Sequence, residues 1–315
     1  MQMIDADAVH RLLDYEGLVE ALRRAHRGAM PETGEICLSD PGQPAVARHF
    51  LALPAWQAGD MLGIKLATSF PENEHLPSIQ GLYAAFDGRT GAPILIADGT
   101  ALTLRKTAAD SALGADLLAR PDAETMLMIG AGALAPHVIA AFLAVRPGLR
   151  RIAIWNRTAA RAEQLAARLS IAGVAVAAVA DLDAALGEAD IVSCATMTAS
   201  PLVRGGLLKP GAHVDLIGGW HPGMREADDD AIRRSSIYVD SKALSGDCGD
   251  IRQPLDQGLL RIEDIRGDLF SLCAGDAPGR AGPDEITLFK NAGGGHLDLF
   301  TARHLARRAG IVTAP

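Results

Sequence analysis

The hydrophobic pattern changes character partway along the chain. Asp14 suits an N-cap, and behind it Leu18, Val19, Leu22, Ala25, His26 and Ala29 recur at helical spacing, so a helix opens the chain and stops before Pro31 and Gly34. Short strand-like runs follow. Residues 35–38 and 47–53 flank the turn-forming Ser39-Asp40-Pro41-Gly42 and predict a hairpin. Residues 61–68 predict a third strand, which carries Lys65, and 82–86 and 93–97 flank Asp87-Gly88-Arg89-Thr90-Gly91 as a second hairpin. This part reads as an opening helix and then mostly antiparallel sheet.

Beyond it the pattern alternates. Residues 103–118 form an Ala- and Leu-rich helix that Arg120-Pro121-Asp122 breaks. Strands at 125–129, 151–155, 174–179 and 190–194 are separated by helices at 133–145, 159–169 and 182–186, and further strands fall at 213–217 and 237–239. Strand–helix alternation implies parallel βαβ units. The fold class is therefore α/β: a Rossmann-type doubly wound parallel sheet plus a second α+β domain with antiparallel sheet, the regime changing near residue 120.

Length and composition narrow the function classes. A chain of 315 residues corresponds to about two domains, and 49% hydrophobic residues suffice for two cores. A formal net charge of -8 argues against nucleic-acid binding, which needs clustered Lys and Arg. Cys37, Cys194, Cys248 and Cys273 are scattered without a CxxC pair, and the histidines have no ligand-like spacing, so no metal site is expected. No leader-like N-terminus and no apolar stretch of the ~20 residues a membrane span needs are visible. A cytoplasmic protein with no membrane partner is the expectation.

The strand at 125–129 runs into Gly130-Ala131-Gly132-Ala133-Leu134-Ala135, a GxGxxA loop that opens a helix. Gly130 permits the tight turn, Gly132 lets backbone approach a pyrophosphate, Ala135 allows close helix–strand packing, and the helix start offers N–H groups to phosphate. A Gly-rich structural turn is the bland alternative; the strand-before, helix-after context favours a dinucleotide. At the end of the next strand, Trp155-Asn156-Arg157-Thr158 offers no carboxylate for a ribose 2′-hydroxyl, and Arg157 can pair with a 2′-phosphate. NADP(H) is therefore preferred and NAD(H) remains possible; a plain surface turn at Arg157 ranks second. Thr196 and Ile217-Gly218-Gly219, just past two later strands, fall at the carboxyl edge of the sheet, where a nicotinamide would sit.

Several segments together resemble the ornithine cyclodeaminase/mu-crystallin family. They are Gly63-Ile64-Lys65, Leu76-Pro77-Ser78-Ile79-Gln80-Gly81, Asp98-Gly99-Thr100-Ala101-Leu102-Thr103, Thr107-Ala108-Ala109, the Gly130–Ala135 loop, Trp155-Asn156-Arg157-Thr158 and Glu285-Ile286-Thr287-Leu288-Phe289-Lys290. The resemblance implies a homodimer joined through the antiparallel domain. It also implies domains of 1–119 with 291–315 and 120–290, the last helix returning to the first domain from about Leu297.

The resemblance further assigns roles to single residues. Lys65 matches the family lysine at the substrate's carboxylate and nitrogen. Independently, a lysine between Ile64 and Leu66 is costly to bury without an anion, the alternative being a snorkelling surface lysine. Lys106 stands where the family has Arg, ahead of Thr107, and neighbouring Arg105 either compensates for the lost fork or faces solvent. Ser78, Lys106, Thr107 and Asn291 are assigned to the cofactor, and Lys106 and Ala292 to the substrate. Two departures stand out. Residues 35–40 lack the family's second substrate arginine, which leaves Arg48 as the substitute. The cyclodeaminase aspartate that follows the Gly-Gly pair is replaced by Trp220, with His221 beside it as the one nearby titratable group. Loss of that acid favours NADPH-dependent reduction of a preformed cyclic ketimine carboxylate, of the Δ1-pyrroline-2-carboxylate-to-proline type. The alternatives are an ornithine cyclodeaminase with a replacement base, a non-catalytic NADPH-dependent binding protein of the mu-crystallin kind, and an activity like that of the family's archaeal alanine dehydrogenase.

Overall fold

The computed structural model describes residues 1–40, 48–70, 72–73, 75–77 and 79–312. Two units separate, Met1–Lys106 with Gly294–Pro315, and Thr107–Gly293. The division falls inside a single helix and not at the Arg120-Pro121 break expected from sequence.

The first unit opens with a short strand, β1 (Gln2–Ile4), and two helices, α1 (Ala6–Leu12) and α2 (Tyr15–His26). Each helix starts on an aspartate that accepts an orphan backbone N–H: Asp5 from Ala8 at 2.8 Å and Asp14 from Gly17 at 2.7 Å. The apolar stripe of α2 is buried as its spacing predicts. Then come β2 (Glu32–Thr33), β3 (Ile36–Ser39), β4 (His49–Gln57), β5 (Met61–Ser69), β6 (Ile79–Asp87) and β7 (Pro93–Asp98). They form one sheet in the order β1-β7-β6-β5-β4-β2, with β3 paired to β4. The antiparallel part agrees with the sequence reading; β1, parallel to β7, was not legible. The last helix of the chain, Gly295–Arg308, belongs to this unit.

Register assigns the two faces of this sheet. Lys65 stands opposite Leu53 and Tyr83, so these share one face. Tyr83, Ala85, Ala55 and Met61 on that face are buried. The other face carries Ile36, Leu38, Phe50, Trp56 and Leu82, all exposed.

Helix α3 (Gly99–Leu118) runs across the division. It begins four residues earlier than its Ala/Leu pattern suggests, because Asp98 accepts the Ala101 N–H at 2.7 Å. Its second half belongs to the second unit: the carbonyls of Ala115, Asp116 and Ala119 are all held by Arg146, and a Cβ on Gly114 would strike the Phe289 ring at 2.6 Å. That packing is why the unit begins before the break in composition.

The second unit contains β8 (Thr125–Ile129), α4 (Ala135–Val145), β9 (Arg151–Trp155), α5 (Ala159–Arg168), β10 (Ala175–Ala178), α6 (Leu182–Glu188), β11 (Ile191–Cys194), β12 (His213–Leu216), α7 (Asp229–Arg234), β13 (Ser235–Val239), α8 (Gly249–Asp256), β14 (Ile265–Asp268), α9 (Leu269–Ala274) and β15 (Ile286–Lys290); the last helix, Gly295–Arg308, is α10. All eight strands are parallel, in the order β10-β9-β8-β11-β12-β15-β13-β14. Strand order reverses between β8 and β11, the point at which open α/β sheets bind ligands beyond their carboxyl ends. Strands β8, β11, β12 and β15 are buried along their whole length, as a sheet covered on both faces requires. No helix among the described residues is long and apolar enough to cross a membrane.

Candidate active site

The GxGxxA loop follows β8 as its pattern predicts. Gly130 has φ +108°, and a Cβ there would lie 2.6 Å from the Ala195 carbonyl oxygen. A Cβ on Gly132, by contrast, would meet nothing within 4 Å. Helix α4 starts without a side-chain cap and has Pro at its first turn. Among the described residues no hydrogen bond takes the N–H groups of Gly132, Ala133 or Leu134. Open space beside three uncommitted amides at a helix start suits a pyrophosphate. Asn156 ties the neighbouring loop to this one: its Oδ1 accepts the Ala131 N–H at 3.1 Å and its Nδ2 donates to the Thr158 carbonyl at 3.0 Å. Arg157 is exposed, and no ion pair among the described residues holds it.

Thr196 and Gly218 follow β11 and β12, and one side chain binds both. Glu226, fully buried, accepts the Thr196 N–H at 2.6 Å and hydroxyl at 2.8 Å on Oε1, and the Gly218 N–H at 2.6 Å on Oε2. The Glu226 N–H in turn donates to Asp250 Oδ1 at 2.7 Å, and Asp250 Oδ2 accepts from Lys290 Nζ at 3.2 Å. Burial pushes the Glu226 carboxyl up to about 7, against the pull of Lys290. Burial disfavours the Lys290 charge, yet Asp250 and Glu226 hold its ammonium above the ordinary range. Ile217 is fixed by its N–H to the Cys194 carbonyl, and Gly219 presses on Asp250, whose Oδ2 a Cβ would meet at 2.3 Å. Asp250 opens α8 and is fully buried.

The first unit holds a separate group of charges. Lys65 Nζ lies 2.8 Å from Asp298 Oδ2, and Lys106 Nζ lies 3.7 Å from Asp298 Oδ1. Asp298 projects from α10 and is fully buried, yet among the described residues neither of its oxygens has an aligned hydrogen-bond donor. The contact with Lys65 is thus an ion pair without hydrogen-bond geometry, which leaves acceptor capacity on the carboxylate. Nearby His296 is held far below its ordinary range by burial and then by His26 and Lys106, so it is a neutral ring. Burial and Asp298 keep the Tyr83 phenol protonated. Two ammonium groups therefore face the one carboxylate of Asp298.

Other expected residues point elsewhere. Arg48 is bound to Glu72, with its Nε at 2.7 Å, and to Asp40 at 3.4 Å, so two surface carboxylates hold its guanidinium. Arg105 neither replaces a fork beside Lys106 nor faces solvent: it donates to His10 Nδ1 at 3.1 Å and its carbonyl at 2.9 Å, and lies over the Tyr15 ring. Asn291 turns its Nδ2 to the Thr107 carbonyl and Ser111 hydroxyl, both at 3.0 Å. The Ala292 N–H is taken by Asp240 at 2.9 Å, leaving its carbonyl and methyl for any ligand. Trp220 is 53% exposed, and His221 accepts the Gly223 N–H in its own turn at 3.1 Å. Ser78 lies outside the described residues. Asp298, Glu226 and Lys290 were missed. The reasoning applied to Lys65 finds Lys290 as well, a lysine ending the apolar run Ile286–Phe289, and finds Asp298 between Leu297 and Leu299. Glu226 sits in the charged run Arg225–Asp230, which reads as solvated.

Residues 5–309 match the model of the ornithine cyclodeaminase/mu-crystallin family. The chain belongs to that family. Its relatives include the Delta(1)-pyrroline-2-carboxylate reductase of Paracoccus denitrificans, 41% identical over 96% of this chain and 94% of the relative. Protein SAR DEFICIENT 4 of Arabidopsis thaliana is 38% identical over 95% of each chain. Among solved structures, the Thermococcus litoralis Delta(1)-pyrroline-2-carboxylate reductase in complex with NADH and L-proline superposes with a TM-score of 0.91 at 27% identity, covering 98% of this chain and 97% of that one. The two-sheet α/β architecture is thus the architecture of this family.

Proposed function

We propose that this family member is an oxidoreductase that reduces a small cyclic ketimine carboxylate with a nicotinamide coenzyme, Δ1-pyrroline-2-carboxylate to L-proline being the best-fitting reaction, and that it prefers NADPH to NADH. The observation that carries the reading is the convergence of two ammonium groups, Lys65 and Lys106, on Asp298, which offers cationic partners to a substrate carboxylate. The reductase activity named for the Paracoccus and Thermococcus proteins supports it.

The residues divide the work as follows. Lys106, nearly buried, attracts the substrate carboxylate. Lys65 Nζ carries the proton that the ring nitrogen takes up. Asp298 holds that ammonium in place, and its lone pairs accept from the ring N–H of the product. Residues 130–134 bind the coenzyme, which supplies the hydride added at C2. One hydride and one proton convert the imine to proline, and no ammonia is released. Oxidative release of ammonia from an amine needs a base as well, and Trp220 stands where cyclodeaminases carry theirs.

Arg157 supports the NADPH preference: it is exposed, its charge is uncommitted, and the end of β9 carries no carboxylate to repel a 2′-phosphate. A homodimer through the first unit is supported by the exposed apolar face of Ile36, Leu38, Phe50 and Trp56, beside a groove of about 400 Å³ lined by Pro54, Trp56, Leu62, Ile64 and Phe86.

Product analysis tests the reaction. L-proline from the imine and NADPH, with no ammonia from L-ornithine and NAD, is expected. Ammonia from ornithine would replace the reading with a cyclodeaminase; coenzyme binding without turnover of either compound would replace it with a ligand-binding protein.

A further inference from the structure

The carboxylate of Glu226 is buried at the carboxyl edge of the parallel sheet, and its three short donors come from two different loops. Thr196 lies just past β11 and Gly218 just past β12, adjacent strands that follow the point where strand order reverses. Burying an ionisable acid is costly, and an apolar side chain would fill the same space without that cost. What an apolar side chain cannot do is accept two backbone N–H groups and a hydroxyl at once. The loops have no slack around the acid: a Cβ on Gly218 would lie 1.7 Å from the Thr196 carbonyl oxygen and 2.4 Å from Glu226 Oε1. The acid is itself held from behind. Its N–H donates to Asp250, its carbonyl accepts the Leu202 and Val203 N–H groups at 2.9 Å, and Asp250 is anchored on Lys290 at the end of β15.

We propose that Glu226 is a positioning residue for hydride transfer: one carboxylate draws the loops after β11 and β12 into a fixed spacing, and so sets the surface against which the nicotinamide packs. This rests on the coenzyme reading above. A purely structural clamp would stabilise the unit and leave the chemical step of the folded enzyme unaltered. A positioning clamp acts on the alignment of the reacting carbons, where a displacement of about 1 Å costs on the order of a hundredfold in rate.

The test uses Glu226→Gln, which keeps size but turns one carboxylate oxygen into an N–H donor facing N–H or O–H groups. Amide hydrogen exchange at Thr196 and Gly218 is measured without coenzyme, NADPH affinity by fluorescence titration, and kcat with its primary deuterium isotope effect from C4-labelled NADPH. Exchange at both amides about tenfold faster, kcat lowered about tenfold to a hundredfold, a larger isotope effect and an NADPH Kd changed less than about threefold are expected. Unchanged exchange, or a kcat and isotope effect per folded enzyme equal to the parent's, overturns the proposal. If Glu226→Gln does not fold, Thr196→Val decides: it removes one donor while keeping shape, so a lowered kcat with a raised isotope effect supports the role and parental values overturn it. Failure of the coenzyme reading is distinguishable, because the unaltered protein would then bind neither NADPH nor NADH, and this proposal would fall with it.

Discussion

The ammonium of Lys65 lies 2.8 Å from the carboxylate of Asp298, a residue of the chain's last helix that is fully buried. A lysine in the middle of an apolar strand therefore has an internal anion, and Lys106 lies against the same carboxylate. Replacing Lys65 by Met is expected to lower kcat by about a hundredfold or more, the usual worth of a placed proton donor, and to raise KM for the imine, with NADPH affinity nearly unchanged. Steady-state kinetics beside a fluorescence titration check this; unchanged turnover removes Lys65 from the mechanism.

Asp298→Asn removes the carboxylate that Lys65 and Lys106 face. Loss of one partner of a buried ion pair costs about 3–5 kcal/mol, so a marked drop in urea midpoint is expected, together with weaker catalysis by the folded fraction. A variant as stable and as active as the parent would show that the pair contributes to neither.

Arg157→Ser is expected to weaken NADPH more than NADH. Hydrogen bonds to a charged group contribute about 1.5–3 kcal/mol, so kcat/KM for NADPH should fall roughly tenfold to a hundredfold while that for NADH moves little. Equal losses with both coenzymes would mean that Arg157 does not meet a 2′-phosphate.

Asp215, fully buried on β12, carries a pH signature. Burial pushes its carboxyl up to about 6, although the Ser193 hydroxyl donates to it at 2.6 Å. In the unfolded chain it titrates near its ordinary value of 3.8, so between that pH and about 6 the folded protein binds the extra proton. This group's contribution to stability is therefore full below pH 3.8 and is lost as pH rises towards about 6. Asn cannot ionise. The stability of Asp215→Asn relative to the parent should accordingly improve by about 2 kcal/mol between pH 4 and pH 7, read from denaturant unfolding at each pH. A pH-independent difference would contradict the assigned shift.

Much of the architecture was legible because it rests on local rules. The cap at Asp14, the Gly130 turn and the strand–helix alternation after residue 120 each follow from the residues on the spot. The missed features depend on partners distant in sequence. Strand β1 is only three residues long and exists by pairing with β7. Glu226 and Asp250 look like solvated acids until β11, β12 and β15 converge on them. Arg48 was a reasonable substrate candidate by charge, but Glu72 and Asp40 hold its guanidinium. The need of Lys65 for an anion was legible from its apolar neighbours, while the identity of that anion, Asp298, needed the fold.

The most direct test of the central claim is the decay of NADPH absorbance on mixing the protein with Δ1-pyrroline-2-carboxylate, with L-ornithine and ammonia detection run in parallel. Saturable oxidation stoichiometric with L-proline, and no ammonia from ornithine, is the predicted result. No imine-dependent oxidation of either NADPH or NADH would contradict it.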